Sequence, residues 1–504
     1  MTGTTRARQK KRQEYGIMST ESNIRTLRTL SAFPLMLMLI LILACTVNKD
    51  WDKYYDHSSG QLGINLLDLL KENEDYSLFY QKVVETGYDT ILKKNQYFTL
   101  FVPENSAFSD IPEYSTEQWK KIIGFHICYQ SLFSRDFGNI SVLSILGKYL
   151  KLTDQGNHSF TVFNASIMPD KMDQTCSNGV IHEINSLLVP RDNIYEYIMN
   201  LGDDFSLLRK YINSMDKVTM DYENSTRTGV DENGNTVYDT VWIRSNKYLD
   251  NIAHINNENG SYTGFLVRDV QIMQALNNAS SYFGNISEMN DNDFLQLLSI
   301  AYSATFLNGA YRRDELPDTM VSVEGKSLTF QDVAFSDEIN LEMSNGMIHV
   351  LSEFNIPKEF FLYPIIIEAD NKTGRKLSNT VYPSEIRSDT RATNGTYFYY
   401  GSKLLGEYIE FTIDNVLATK YWIIWTSPAL GGSSYQVSVD GTNVGGPVDN
   451  YYKGNFKPVV AGSYTFDTFG SKRIRMTVVV QTIPGYNSIY LDYFKLIPDE
   501  LYNP

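Results

Sequence analysis

Of the side chains able to do chemistry, this 504-residue sequence offers six histidines, three cysteines and 59 Asp and Glu. Two histidines share a regular setting: His182 and His349 each close a Ser-Asn-Gly-x-Ile-His run. As metal ligands they would need His, Cys or carboxylate partners at fixed spacing. Glu183 follows His182, but Ser186 stands where a His-Glu-x-x-His helix needs its second imidazole. The sequence holds no P-loop, no Gly-x-Ser-x-Gly elbow, no Cys-x-x-Cys and no Gly-x-Gly-x-x-Gly. No catalytic residue is assigned, and both histidines read as buried strand residues bonded to backbone. Paired carboxylates can cleave glycosides without any local signature, so a cryptic glycoside hydrolase stays as the third functional reading. The formal net charge of −15 argues against a nucleic-acid partner, which demands a basic face.

The third chemical candidate is Cys45. It ends the unbroken apolar run Leu35 to Cys45, too short for a spanning helix of ~20 residues. With Arg25 and Arg28 ahead of it, the run suits the apolar core of a signal peptide. Ile42-Leu43-Ala44-Cys45 resembles a bacterial lipobox. That resemblance implies cleavage before Cys45 and a lipid on its thiol, hence a membrane partner through the N-terminus. Residues 1–44 are then the signal peptide. Met18 makes the better start, so 18–44 would be the true signal and 1–17 a misassigned leader. Residues 45–60 form a polar tether, and its early acids resemble the surface-export signal of Bacteroidetes lipoproteins. An outer-membrane, cell-surface location is expected. Cys128 and Cys176 are the remaining thiols, and a disulfide or two buried free thiols are both open.

The elements that must position these residues follow from an internal repeat. Ser177 to His182 recurs as Ser344 to His349, and a proline follows eight residues later in both, Pro190 and Pro357. Asn178-Gly179 and Asn345-Gly346 supply turns, and the alternating apolar residues after them read as strands. Two related domains are expected, at 61–197 and 198–361. In the first, Asn65 to Leu70 reads as a short helix. Ser77 opens a second helix, with Phe79/Val83 and Tyr80/Val84 paired at i, i+4, and Gly87 ends it. Tyr97 to Pro103 reads as a buried strand. The stretch Thr99-Leu100-Phe101-Val102-Pro103-Glu104-Asn105-Ser106-Ala107-Phe108 and the late strand from Asn178 to Pro190 resemble the two marker segments of a fasciclin domain. The second copy departs from the pattern, with Arg268 in place of the marker proline and an insertion around 231–235 that reads as a hairpin loop. The resemblance implies α+β fasciclin-like domains in tandem and a role in adhesion, with Asn178, Gly179, His182, Asn345, Gly346 and His349 as structural motif residues.

Residues 362–504 carry strand alternation: Ile409, Phe411 and Ile413; Tyr435 to Val439 ending at Asp440-Gly441; Ile474, Met476, Val478 and Val480; then Tyr490 to Phe494. An all-β sandwich is expected. Ile366-Ile367-Glu368-Ala369, Gly406 to Phe411, Ser438 to Gly441 and Leu491-Asp492-Tyr493 resemble galactose-binding-like jelly rolls and their carbohydrate-binding modules. That resemblance implies a structural calcium held by Glu368 and Asp492. Glycan sites in such modules stack an exposed aromatic on a sugar. The family's late tryptophan is replaced here by Tyr451-Tyr452-Lys453-Gly454-Asn455-Phe456. Trp422 and Trp425 lie in a strand and read as core, so Tyr451, Tyr452 and Asn487 are the ligand-binding candidates. The leading expectation is a non-enzymatic, lipid-anchored surface protein that binds an extracellular protein or glycan. The runner-up is an accessory glycan-binding lipoprotein of a polysaccharide-uptake system.

Overall fold

The computed structural model describes residues 63–232, 236–336, 341–401, 404–430, 432–450, 455–481 and 487–503. The leader, Cys45, the tether, Tyr451 and Tyr452 lie outside these residues.

Both copies are assembled on one joint. In the first, strand Phe98–Pro103 pairs in parallel with Gly179–Ile184, with Phe98 opposite Gly179 and Phe101 opposite His182. In the second, Tyr262–Leu266 pairs in parallel with Gly346–Phe354, with Tyr262 opposite Gly346 and Phe265 opposite His349. The register is the same. A parallel pair cannot be closed by a hairpin, so the helices and smaller strands of each copy are threaded between its two central strands. Ile127–Cys128 and Phe306–Asn308 flank the central pairs on the equivalent side.

The repeated residues fix that joint atom by atom. Asn178 Oδ1 accepts from Leu66 N, the first residue of helix Leu66–Glu72, at 2.8 Å, and its Nδ2 donates to Leu92 O. Asn345 Oδ1 accepts from Ile194 N, which opens helix Ile194–Asn200, at 2.9 Å, and its Nδ2 donates to Ile255 O. Each asparagine thus satisfies a helix-terminal N–H that has no partner inside its own helix. Gly179 and Gly346 hold φ of +154° and +157°, and a Cβ there would sit 2.1 Å from Phe98 O and 1.9 Å from Tyr262 O. No side chain fits against the partner strand. Outside this scaffold the second copy carries two ribbons: Asp216–Met220 against Trp242–Asn246, then Thr226–Val230 against Thr236–Asp239. Val230 and Thr236 pair at the end of the second of these, and residues 233–235 of the loop read there lie outside the described residues.

The C-terminal region is β-rich and built from several sheets. One runs Ile365–Glu368, Tyr493–Pro498, Lys420–Thr426, Val459–Thr465. A second runs Arg375–Leu377, Tyr408–Val416, Gly470–Gln481, Ser433–Val439, Thr442–Asp449. A small third sheet joins Ser384–Ser388, Thr396–Tyr400 and Ile489–Leu491. Ile409, Phe411, Ile413, Ile474, Met476 and Val478 point inward with Trp425, whereas Val480 is exposed at the end of its strand. Trp422 lies outside the core, stacked on Tyr502 at 4.5 Å with Nε1 donating to Asp499.

The boundary at 361 is a change of topology and not a break in packing. One apolar core runs from Ile194 through Leu298 and Phe361 to Leu496. Phe283 packs 5.0 Å from Phe361 and 5.4 Å from Phe469. Asn415 N donates to Gln296 Oε1 at 2.8 Å, and Gln296 Nε2 donates to Ser471 Oγ at 2.7 Å. The first copy keeps its own two apolar clusters. Its contact with the second is polar: Lys148 Nζ reaches Glu196 at 2.7 Å, on the helix Ile194–Asn200 that packs into the second copy's core, Glu258 at 2.6 Å and Ser344 Oγ at 3.1 Å.

Candidate functional site

The repeated histidines are part of the scaffold. His182 is fully buried, with Nε2 2.7 Å from Leu132 O and Nδ1 accepting from Asp173 N at 3.2 Å. His349 places Nε2 2.9 Å from Tyr311 O. The same two residues hold the marker threonines, because Leu132 N donates to Thr99 Oγ1 and Tyr311 N to Thr263 Oγ1. Burial pushes the pKa of both imidazoles below the ordinary value. Glu183 is also satisfied, by Tyr76 Oη and Lys171 Nζ, each at 2.9 Å. Cys128 and Cys176 are free and sit in different apolar clusters, where burial raises the thiols to about 12 and about 11. They are packing residues, unreactive at neutral pH.

A different kind of surface forms on the small third sheet. Strand Thr396–Tyr400 reads Thr-Tyr-Phe-Tyr-Tyr, and alternation sends Phe398 and Tyr400 into the main core. Tyr397 and Tyr399 face the other way, where they meet Tyr490 and Phe456 in a separate aromatic cluster. Tyr399 and Tyr490 are cross-strand partners with ring centroids 5.2 Å apart, and Tyr397 lies 5.9 Å from Phe456. Two arginines cover the cluster. The Arg387 guanidinium lies 3.7 Å from the Tyr399 ring centre and is steadied by Glu385 at 2.6 Å. Arg391 lies 5.1 Å from the Phe456 ring, donates to Asn455 and pairs with Asp389 through two nitrogens. That pairing pulls the Asp389 carboxyl down to about 2. The result is a small aromatic tray in which Tyr397 and Tyr490 are buried, Tyr399 and Phe456 are half-buried, and the two guanidinium groups lie over the rings as hydrogen-bond donors at the surface.

Of the ligand-binding candidates read from the sequence, Tyr451 and Tyr452 lie outside the described residues, and Asn450 and Phe456 on either side of them are both held by Ser427. Asn450 is buried, accepts from Ser427 Oγ and donates to Tyr435 Oη, while Phe456 N donates to Ser427 O at 2.7 Å. Asn487, expected as a ligand contact, is instead buried at 4% exposure and does not present its side chain to solvent. It is drawn in because the next residue pairs through Tyr435 Oη to Ser488 O at 2.8 Å.

Glu368 and Asp492 come together with Asp370 just behind the tray. Asp492 accepts from Thr393 N, Thr393 Oγ1 and Thr426 Oγ1, and Asp370 accepts from Thr396 Oγ1. Burial, then repulsion by Asp492 and Asp370, raises the Glu368 pKa, and burial also raises that of Asp492. Among the described residues no group of three or more His, Cys, Asp or Glu is spaced to hold a metal ion. The donors here are oxygens, the class a hard cation takes, and their mutual repulsion is what such a cation would relieve. Among the described residues no helix is long and apolar enough to cross a membrane.

With this geometry in place, the family comparison is direct. Residues 74–190 match the family model of the fasciclin domain, a match that falls within the first copy. Human periostin is 30% identical over 145 residues, which is 27% of this chain and 17% of periostin. The chain spans only about a fifth of the length of such curated relatives, 17% of periostin and 23% of a yeast FAS1 domain-containing protein. Among solved structures, a FAS1 domain pair from the insect cell adhesion molecule Fasciclin I aligns over 57% of this chain and 99% of that one, at 15% identity and a TM-score of 0.21. A family 35 carbohydrate binding module from Clostridium thermocellum aligns over 27% of this chain and 98% of that one, at 17% identity and a TM-score of 0.20.

The residues that the sequence did not single out are Arg387, Tyr397, Tyr399, Phe456 and Tyr490. The aromatic run 397–400 was the available signal, since alternation must put two of its rings outside the core.

Proposed function

We propose that this protein is a non-enzymatic, lipid-anchored protein of the cell surface, tethered to the outer membrane through Cys45. Its fasciclin domain and the related second copy serve as a spacer. Its C-terminal region, a galactose-binding-like jelly-roll sandwich, binds an extracellular ligand. The observation that supports this reading is the half-buried pair Tyr399 and Phe456 under Arg387 and Arg391, backed by the buried rings of Tyr397 and Tyr490. Aromatic platforms of this kind suit sugar rings, which favours a glycan over a protein ligand. The test is a glycan array probed with the full mature chain and with its Tyr399→Ala/Arg387→Ala variant. Glycan signals that drop at least tenfold in the variant support the reading. Signals that survive unchanged would move the site elsewhere, and release of reducing sugar would favour a hydrolase. For the anchor, Cys45→Ala should leave the detergent phase, and a variant that still partitions there refutes lipidation.

A further inference from the structure

The junction between the two copies contains a cavity of about 380 Å³ lined by Lys148, Lys151 and Arg191, in a chain whose net charge is −15. The three cations do different things. Lys148 is spent on structure, since Glu196, Glu258 and Ser344 Oγ all lie within 3.1 Å of its ammonium. Arg191 is held over the Phe163 ring, 5.2 Å from its centre. Phe163 has φ +54°, a left-handed backbone that is uncommon for a bulky residue. Strain of that sort persists where surrounding structure enforces it, often at ligand clamps. Here it places an aromatic shelf under a guanidinium. The ion-pair partner of Arg191 is Glu342 at 2.9 Å, whose side chain is 60% exposed. Exposed pairs contribute little, so that carboxylate can be exchanged for another that brings contacts of its own. The Lys151 ammonium has no partner among the described residues.

We propose that this cavity binds a small hydroxylated carboxylate, a sugar acid in chemical class, with Arg191 taking the carboxylate in place of Glu342 and Lys151 adding the second positive charge. Arginine is matched to planar carboxylates, which it binds through two parallel hydrogen bonds. The hydroxyl preference follows from Ser141, Asn164 and Ser344 on the walls. Because the lining comes from both copies, occupation also ties them together.

The test is calorimetric titration of the full mature chain with D-gluconate and, as its uncharged counterpart, sorbitol. Gluconate should bind and sorbitol should not. Arg191→Gln should weaken gluconate at least tenfold and Lys151→Gln several-fold. Glu342→Gln should tighten it, because the competing carboxylate is gone, and this variant removes only an exposed pair and so leaves the fold in place. Equal binding of sorbitol, no response to Arg191→Gln, or weaker binding by Glu342→Gln would each overturn the proposal.

Discussion

A histidine whose ring nitrogens are already committed to main-chain atoms cannot gain a proton without losing a partner. His126 shows this most plainly: it is fully buried, its Nδ1 lies 2.9 Å from Ile122 O, and its Nε2 accepts from Leu188 N at 3.0 Å. Desolvation holds its pKa at about 4, and His182 and His349 are shifted in the same direction. The unfolded chain takes up protons near pH 6.5, so stability is full above that value and falls as the pH drops toward 4. For His126 alone the loss by pH 5 is about 2 kcal/mol. Thermal melts should therefore show a lower Tm at pH 5 than at pH 7, and His126→Gln should start lower but flatten the slope. A Tm that rises on acidification contradicts this account. Glu368 and Asp492 work in the opposite sense. Their raised folded pKa values mean that the stability they contribute is present in acid and lost as the pH rises through those values. At neutral pH the charged cluster is a cost that a bound cation removes. Calcium at a hundredfold excess over its Kd should then stabilise the protein by about 2.7 kcal/mol at pH 7. Asp492→Asn should abolish the shift, and a wild-type Tm indifferent to both calcium and EDTA rules the ion out.

At the scale of elements, the two copies share a device beyond their marker strands. Ser144 and Ser322 each bridge the flanking strand, at Cys128 and Leu307, and each opens a tight turn that ends in Gly-Lys. In the first copy the turn delivers Lys148 to Glu196 and Glu258 of the next copy. In the second it delivers Lys326 to Phe360 O at 3.1 Å, with its ammonium 5.2 Å from the Tyr363 ring, on the link to the β region. The same turn thus grips whatever follows. Lys148→Met leaves Glu258 without its cation and Glu196 with Lys121 alone. Full burial would make that loss 3–5 kcal/mol, and the partial exposure of both acids reduces it to about 2 kcal/mol. Small-angle scattering should register a larger radius of gyration for the variant, and an unchanged profile would show that Lys148 does not set the angle between copies. Much of this level was legible in the sequence: the helix after Asn65, the strand at 98–103 and the identical Asn-Gly-x-Ile-His strands follow from periodicity and turn chemistry. The tray did not. Arg387, Tyr399 and Tyr490 are brought together by strand pairing across about a hundred residues, and periodicity reports which face a residue is on but not which strand lies beside it. Lys148 was hidden for the same reason, since nothing local distinguishes a solvated turn lysine from one inserted into a neighbour.

Taken whole, the molecule is two packed bodies and not three, because the second copy and the β region share one core while the first copy keeps its own. Removing residues 362–504 would bare Phe283, Phe361 and the helix Asp291–Tyr302, whose Gln296 and Asp293 bond to the β region. A truncated chain should therefore aggregate, read as loss of the monomer peak in size-exclusion chromatography, whereas separate modules would leave the two copies as a monomer in solution. The shared core has a mechanical meaning as well. A protein held at one end and bound to a ligand at the other carries tension along its chain, and each body is one link. The polar junction beside Lys148 is the weakest seam, while the seam between second copy and tray is as strong as a domain interior. Pulled from its ends, the chain should lengthen in two steps, the larger roughly 2.4 times the smaller, 310 residues in 194–503 against 131 in 63–193. The tray would then keep its shape until the larger link gives way, so that a loaded bond meets a rigid face to the last.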